Sequence, residues 1–97
     1  MAAIDRGLTE DPGLAPLHRN RGDLLLEAGR HEQALDEFRR AVKQNETLGP
    51  EVWARIGTIL SSQGEIEEAE RAWERALVLD PAHGEARLRL AASRGAR

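Results

Sequence analysis

The residue types best suited to chemistry are three histidines, His18, His31 and His83, and a serine pair at Ser61 and Ser62. Histidines at fixed helical spacing bind a metal, and a serine on a sharp strand-to-helix turn attacks carbonyl groups. These histidines form neither a His-x3-His nor a His-Glu-x2-His pattern, and the serines lack a G-x-S-x-G turn. No glycine-rich phosphate loop is present either. We therefore expect no enzyme activity, no metal and no cofactor.

Composition excludes several further classes of protein. The 97 residues include no cysteine, so disulfides, thiolate nucleophiles and cysteine zinc sites are impossible. With 17 acidic and 14 basic residues the net charge is −3, which gives no broad positive field for a phosphate backbone. No segment approaches the ~18 apolar residues that span a membrane, and the first residues do not resemble a signal sequence. We expect a cytoplasmic protein that binds neither nucleic acid nor membranes.

The elements that position these residues are predicted to be helices. Apolar residues recur at spacings of three and four between Leu14 and Asp80, which is the period of an α-helix. No segment alternates apolar and polar residues as a half-buried strand would. The sequence therefore predicts an all-α chain. Its five helices are expected at about residues 15–28, 31–45, 50–62, 66–79 and 84–94.

Glycine and proline mark the ends of these helices. Gly29 and Gly64 fall where a helix must end and the chain must turn back, because only glycine adopts a left-handed cap without steric cost. Pro81 ends the fourth helix because proline cannot donate the next backbone hydrogen bond. Pro50 is suited to the first turn of the third helix.

Six landmark residues occur twice, each 35 residues further along the chain. They are Gly22, Leu25, Gly29, Ala34, Phe38 and Ala41, repeated as Gly57, Leu60, Gly64, Ala69, Trp73 and Ala76. Self-similarity at a fixed period indicates stacked structural units. Such units specify how the chain packs on itself more strongly than what it binds.

The second copy resembles the tetratricopeptide repeat, whose pattern is W-x2-L-G-x2-Y, then A-x3-F, then P. The matching residues are Trp53, Ile56, Gly57, Leu60, Ala69, Trp73 and Pro81. The first copy departs from the pattern, with His18 in the Trp position, Arg21 in the Leu position and Glu46 in the Pro position. The resemblance implies helical hairpins stacked as a short right-handed solenoid.

The same resemblance implies that the chain is a single domain composed of repeats. It gives a partial preceding repeat at 2–13, a first repeat at 15–49, a second repeat at 50–83 and a C-terminal capping helix at 84–97. Within each hairpin a glycine would allow the two helix axes to approach closely. We expect Gly22 to lie opposite Ala34, and Gly57 to lie opposite Ala69.

Members of this family line a concave surface with the first helix of each pair and bind extended or helical peptides there. The resemblance therefore implies a non-catalytic protein-interaction module. When the family pattern is applied to this chain, the residues on that surface are Arg19, Asn20, Asp23, Glu27, Arg55, Thr58, Ser62, Glu85, Leu88 and Arg89. Arg19, Arg55 and Arg89 offer the paired N–H donors that suit a carboxylate. We expect a protein or peptide partner that is acidic or has a free C-terminal carboxylate.

One subgroup of the family grips the C-terminal carboxylate of heat-shock chaperones with a clamp of Lys, Asn and Arg. Arg19 and Arg89 match that clamp in charge. Asp23, however, replaces an expected Asn, and Glu85 replaces an expected Lys. Two acidic side chains would repel a docking carboxylate. The sequence therefore disfavours a chaperone co-factor of this type.

Two other functions remain open. Pentatricopeptide-type repeats are also helical hairpins of about this length and read RNA, but they need a basic groove that this acidic chain does not offer. The second alternative is a self-assembly or spacer segment of a longer repeat protein. Ile4 and Leu8 at one end leave an apolar face, as do Leu88 and Leu90 at the other. A second copy would cover these faces by head-to-tail association.

Overall fold

The structure is a computed structural model and describes residues 15–45 and 49–95. Within those residues every regular element is an α-helix: α1 spans Ala15–Glu27, α2 His31–Gln44, α3 Pro50–Ser62, α4 Ile66–Leu79 and α5 Gly84–Gly95. The predicted all-α fold is confirmed, and each predicted helix end lies within one residue of the observed one. The partial repeat predicted at residues 2–13 lies outside the described residues.

The helices pack as consecutive hairpins. The α1 and α2 helices form one hairpin, α3 and α4 form the next, and α5 packs on α4 while also contacting α3. The α2 helix contacts α3 and so joins the two hairpins. This arrangement is a helical repeat solenoid, as the sequence predicts. No helix in the described part of the chain has the length and apolar character needed to cross a membrane.

Both hairpins turn at a glycine in the left-handed conformation. Gly29 has φ 80° and Gly64 has φ 85°, values that other residues rarely adopt. After each glycine, the next N–H donates to the carbonyl of the residue four positions before the glycine, at 2.9 Å in both turns. This Schellman pattern satisfies carbonyl groups that the helix end would leave unpaired. The same turn is therefore built twice, 35 residues apart.

The helices of the second hairpin meet at Gly57 and Trp73. A Cβ added at Gly57 would lie 2.5 Å from Trp73 Nε1 and 2.9 Å from the backbone oxygen of Ala69. Trp73 is 2% exposed, and its indole N–H donates to the Ala54 carbonyl at 3.2 Å. Gly57 therefore lies opposite Ala69, as predicted, and it also lies against the Nε1 and Cδ1 atoms of the Trp73 indole ring.

The first hairpin has the same construction with a different ring. A Cβ at Gly22 would lie 2.6 Å from Cε1 of Phe38, and the three nearest atoms all belong to that ring. The predicted position of Ala34 opposite Gly22 stays a prediction. The missing side chain makes room for an aromatic ring, because the ring is what fills the space between the two helices.

The apolar core runs through the described helices as one cluster. Its larger members are Leu35, Phe38, Val52, Ile56, Ile59, Leu60, Trp73 and Leu90. Leu90 corrects a prediction: it is 6% exposed and belongs to the core, whereas Leu88 on the same helix is 72% exposed. Of the two, only Leu88 presents an apolar surface at that end of the stack. Head-to-tail association through the ends stays a prediction.

Polar contacts fasten α5 to the second hairpin. The Ser93 hydroxyl donates to Oε2 of the buried Glu70 at 2.6 Å, and the Arg94 guanidinium pairs with Glu74. The hydrogen bond to the Glu70 carboxylate contributes on the order of 1.5–3 kcal/mol. The Arg94–Glu74 pair is about half exposed and contributes at most ~1 kcal/mol. The last helix is therefore held by both its buried Leu90 and these contacts.

Replacing Trp73 with Ala should lower the free energy of unfolding by about 3–5 kcal/mol, the usual cost of deleting a buried aromatic side chain. Trp73→Phe should cost much less, because Phe38 fills the equivalent position of the first hairpin. Urea denaturation followed by circular dichroism measures both. Equal stability of the Trp73→Ala variant and the parent would contradict the packing described above.

Gly57→Ala should destabilise the chain by about 1–3 kcal/mol, as expected for overpacking, although alanine favours helices. The added Cβ would press on a buried ring and on the backbone oxygen of Ala69. Gly84→Ala is the matched control, since nothing lies within 4 Å of its added Cβ. The control should melt at or above the temperature of the parent. A Gly57→Ala variant as stable as the control would show that the helices are not held this closely.

Candidate functional site

The first helices of the two repeats, α1 and α3, and the C-terminal helix α5 lie side by side on one face of the stack, which we name the inner face. The α3 helix contacts α5 directly. The α1 and α3 helices are linked by an ion pair between Asp23 Oδ1 and Arg55 Nε, 3.1 Å apart. The predicted site residues all lie on these three helices. The inner face is therefore a continuous surface made by α1, α3 and α5.

Asp23 and Arg55 are predicted site residues that the structure brings into contact from two different helices. Their side chains are 38% and 37% exposed, so solvent screens the pair, which contributes at most ~1 kcal/mol to stability. Asp23 Oδ1 is buried and has no hydrogen bond of good geometry, so the contact is mainly one of charge. Its consequence is positional: it fixes the Arg55 guanidinium between the first two units.

Arg89 pairs within its own helix. Its Nε donates to Glu85 Oε2 at 3.1 Å, four residues earlier in α5, and both side chains are about half exposed. Arginine has five N–H donors, and this contact uses the single donor at Nε. The same holds for Arg55, whose Nε faces Asp23. Each arginine is thus partly balanced by a carboxylate while retaining donors for a ligand.

Four further predicted residues are polar groups of α1 and α3. Thr58 Oγ1 donates to the Ala54 carbonyl at 3.0 Å, and Ser62 Oγ donates to the Ile59 carbonyl at 2.7 Å. Because each hydroxyl proton is used inside α3, both oxygens can only accept hydrogen bonds from a ligand. Arg19 and Asn20 lie on α1, the first partly exposed and the second exposed.

His18 and His83 make contacts within the fold. His18 is 6% exposed, and its Nδ1 lies 2.8 Å from Glu37 Oε1, which joins α1 to α2. His83 Nδ1 accepts the backbone N–H of Ala86 at 3.3 Å and so caps the start of α5. Across residues 15–45 and 49–95, no group of three or more histidine or acidic side chains is arranged to hold a metal ion.

A second surface feature was not found from the sequence. A groove of about 470 Å³ lies between α2, α3 and α4, and we name it the outer groove. Trp53, Ile56 and Leu60 form part of its floor. Its basic lining residues are Arg39, Lys43, Arg71 and Arg75. The sequence signal that would have revealed it is the pair of four-apart cations on each second helix, because residues at that spacing share a helix face.

Family models match the chain twice. Both are described as tetratricopeptide repeat, one over residues 15–48 and the other over residues 50–83. Together they cover more than half of the chain.

A curated relative and three solved structures extend the likeness. The small glutamine-rich tetratricopeptide repeat-containing protein 2 of Mycosarcoma maydis is 27% identical over 92 residues, which is 95% of this chain. The chain spans only 26% of that protein's length. The first TPR of Spaghetti (RPAP3) bound to HSP90 peptide SRMEEVD is 26% identical with a TM-score of 0.80, covering 95% of this chain and 72% of that one.

Two further structures share the fold at lower identity. The second TPR of Spaghetti, bound to the same peptide, is 21% identical with a TM-score of 0.79 and covers 87% of this chain and 77% of that one. MamA is 18% identical with a TM-score of 0.78 and covers 95% of this chain and 53% of that one. With two matched repeats and these similarities, the chain belongs to the tetratricopeptide repeat family.

Proposed function

We propose that the inner face binds a peptide segment of a partner protein and that Arg19, Arg55 and Arg89 recognise carboxylates on that peptide. The observation that carries the proposal is the continuity of the inner face, in which Asp23 and Arg55 join two units across their junction. Each of these arginines comes from a different unit. A peptide laid across the face would therefore meet one guanidinium from each first helix.

The comparisons support a peptide as the ligand. The two TPR domains of Spaghetti (RPAP3) are each bound to the HSP90 peptide SRMEEVD, which contains two glutamates and ends in an aspartate. An acidic peptide of this kind suits arginine, whose planar guanidinium binds carboxylates through paired hydrogen bonds. The proposal assigns the protein a binding role without catalysis. Its location in the cytoplasm remains a prediction.

The charges of the inner face also set a limit on the ligand. Asp23 and Glu85 lie against Arg55 and Arg89 at 3.1 Å, so an incoming carboxylate must compete with a carboxylate already in place. Arg19 has no such acidic partner among the described residues. The ligand therefore places its acidic groups on Arg19 and on the Nη groups of the other two arginines. A chaperone tail that needs an amide and a lysine in place of the two acids fits less well.

The proposal is tested by selection from a library of random peptides displayed on phage. Peptides enriched on the parent protein should be rich in Asp and Glu. Synthetic copies should bind the variant Arg55→Glu/Arg89→Glu about tenfold or more weakly, a loss of about 1.4 kcal/mol. Fluorescence anisotropy measures the affinity, and circular dichroism should show unchanged helical content because both side chains are substantially exposed.

Lys43→Glu/Arg71→Glu is the matched control, since it makes the same change of charge in the outer groove. It should retain the affinity of the parent for selected peptides that lack a large apolar side chain. If both double variants lose the same affinity, the peptides sense only overall charge. If Arg55→Glu/Arg89→Glu binds as well as the parent, the inner face is not the binding site.

The two acidic residues of the inner face, Asp23 and Glu85, should repel an acidic peptide. The variant Asp23→Asn/Glu85→Lys should bind the peptide SRMEEVD at least tenfold more tightly than the parent, a gain of about 1.4 kcal/mol. The reason is that one repelling carboxylate is replaced by an amide and the other by a cation. The same peptide with an amidated C-terminus should lose most of this gain. Isothermal titration calorimetry measures the affinity of the parent and of the variant for the free-acid peptide and for the amidated peptide. Equal affinity of parent and variant would show that these positions do not face the ligand.

A further inference from the structure

We propose that the outer groove is a second docking site, for an acidic segment of another protein that carries one large apolar side chain. This goes beyond the peptide-binding role of the inner face, because the outer groove is built from α2, α4 and the opposite side of α3. The groove has about 470 Å³ of space, within the range of roughly 300–1,000 Å³ that is typical of ligand pockets.

The floor of the groove exists because two positions differ between the repeats. In the second repeat Trp53 is only partly buried, and the small side chain of Ala72 leaves space beside it. The residues 35 positions earlier are His18 and Glu37, which contact each other at 2.8 Å. In the first repeat a polar pair therefore occupies these positions. The apolar floor is specific to the junction of α2, α3 and α4.

The sides of the groove are positively charged. Arg39 and Lys43 come from α2, and Arg71 and Arg75 come from α4. Among the described residues that line the groove, Glu68 is the single carboxylate, and it pairs with Arg39 at 3.7 Å. The groove is therefore lined by four cations and one anion, although the net charge of the chain is −3. This local excess of positive charge favours an acidic partner.

Trp53 gives the groove its apolar anchor point. The guanidinium carbon of Arg75 lies 5.7 Å from the centre of the Trp53 ring, a cation–π contact that holds the arginine beside the floor. An apolar side chain of the partner would cover the exposed part of this ring, beside the buried Ile56. Its flanking carboxylates would then lie near the cations of α2 and α4. A partner with acidic groups alone would leave the Trp53 ring exposed to solvent. The proposed ligand therefore needs both acidic groups and an apolar side chain.

The test uses Trp53 as a reporter. Trp73→Phe leaves Trp53 as the only tryptophan, since the chain has two. The probe is a short synthetic peptide with one central Leu between Asp and Glu residues. Its binding should shift the Trp53 emission, and Lys43→Glu/Arg71→Glu in the same background should weaken the affinity about tenfold or more. Both substituted side chains are exposed, so circular dichroism should report unchanged helix.

Two controls make the result specific. Arg55→Glu/Arg89→Glu carries the same change of charge on the inner face and should bind the probe within about twofold of the parent. A probe with Ser in place of Leu should bind about tenfold more weakly. The proposal is overturned if the groove variant binds no worse than the inner-face variant, or if the Ser probe binds equally well. It is also overturned if single-stranded RNA at physiological salt competes as strongly as the peptide, because the surface would then be selecting negative charge alone.

Discussion

The close contact between a glycine of one helix and an aromatic ring of the next is the constraint on which the rest of the structure depends. Gly57 leaves no Cβ between α3 and the Trp73 ring, and the indole N–H is satisfied by the Ala54 carbonyl. The angle and depth of α3 are fixed by this contact. Residues two apart on a helix point in directions about 200° apart, so Trp53 and Arg55 emerge on opposite sides of α3. One packed contact therefore positions both the inner face and the outer groove.

The two surfaces differ in how their charges are balanced. On the inner face Arg55 and Arg89 each lie beside a carboxylate of the same chain, which leaves a surface of mixed charge. In the outer groove four cations face one carboxylate around a tryptophan. Electrostatic complementarity contributes more to the choice of partner than to raw affinity. Because their charge patterns differ, the ligands proposed for the two surfaces differ as well.

The sequence predicted the helices well because helix period, glycine caps and proline are local signals. Gly29 and Gly64 end their helices wherever the rest of the chain lies, so they can be recognised without a structure. The burial of Leu90 and the ring opposite Gly22 were missed, because both depend on how one helix sits against another. The outer groove was missed for the same reason: Lys43 and Arg71 come from different repeats. Periodicity shows which face of a helix is apolar, but not which charges from separate helices meet.

The most direct test of the central claim is a nuclear magnetic resonance titration of the 15N-labelled protein with a peptide selected on it. If the first helices form the binding surface, the largest changes in amide chemical shift will lie on α1, α3 and α5 near Arg19, Arg55 and Arg89. Amides of α2 and α4 that face away from α3 will change little. Shifts confined to α2 and α4, with α1 and α5 unchanged at saturation, would contradict the account.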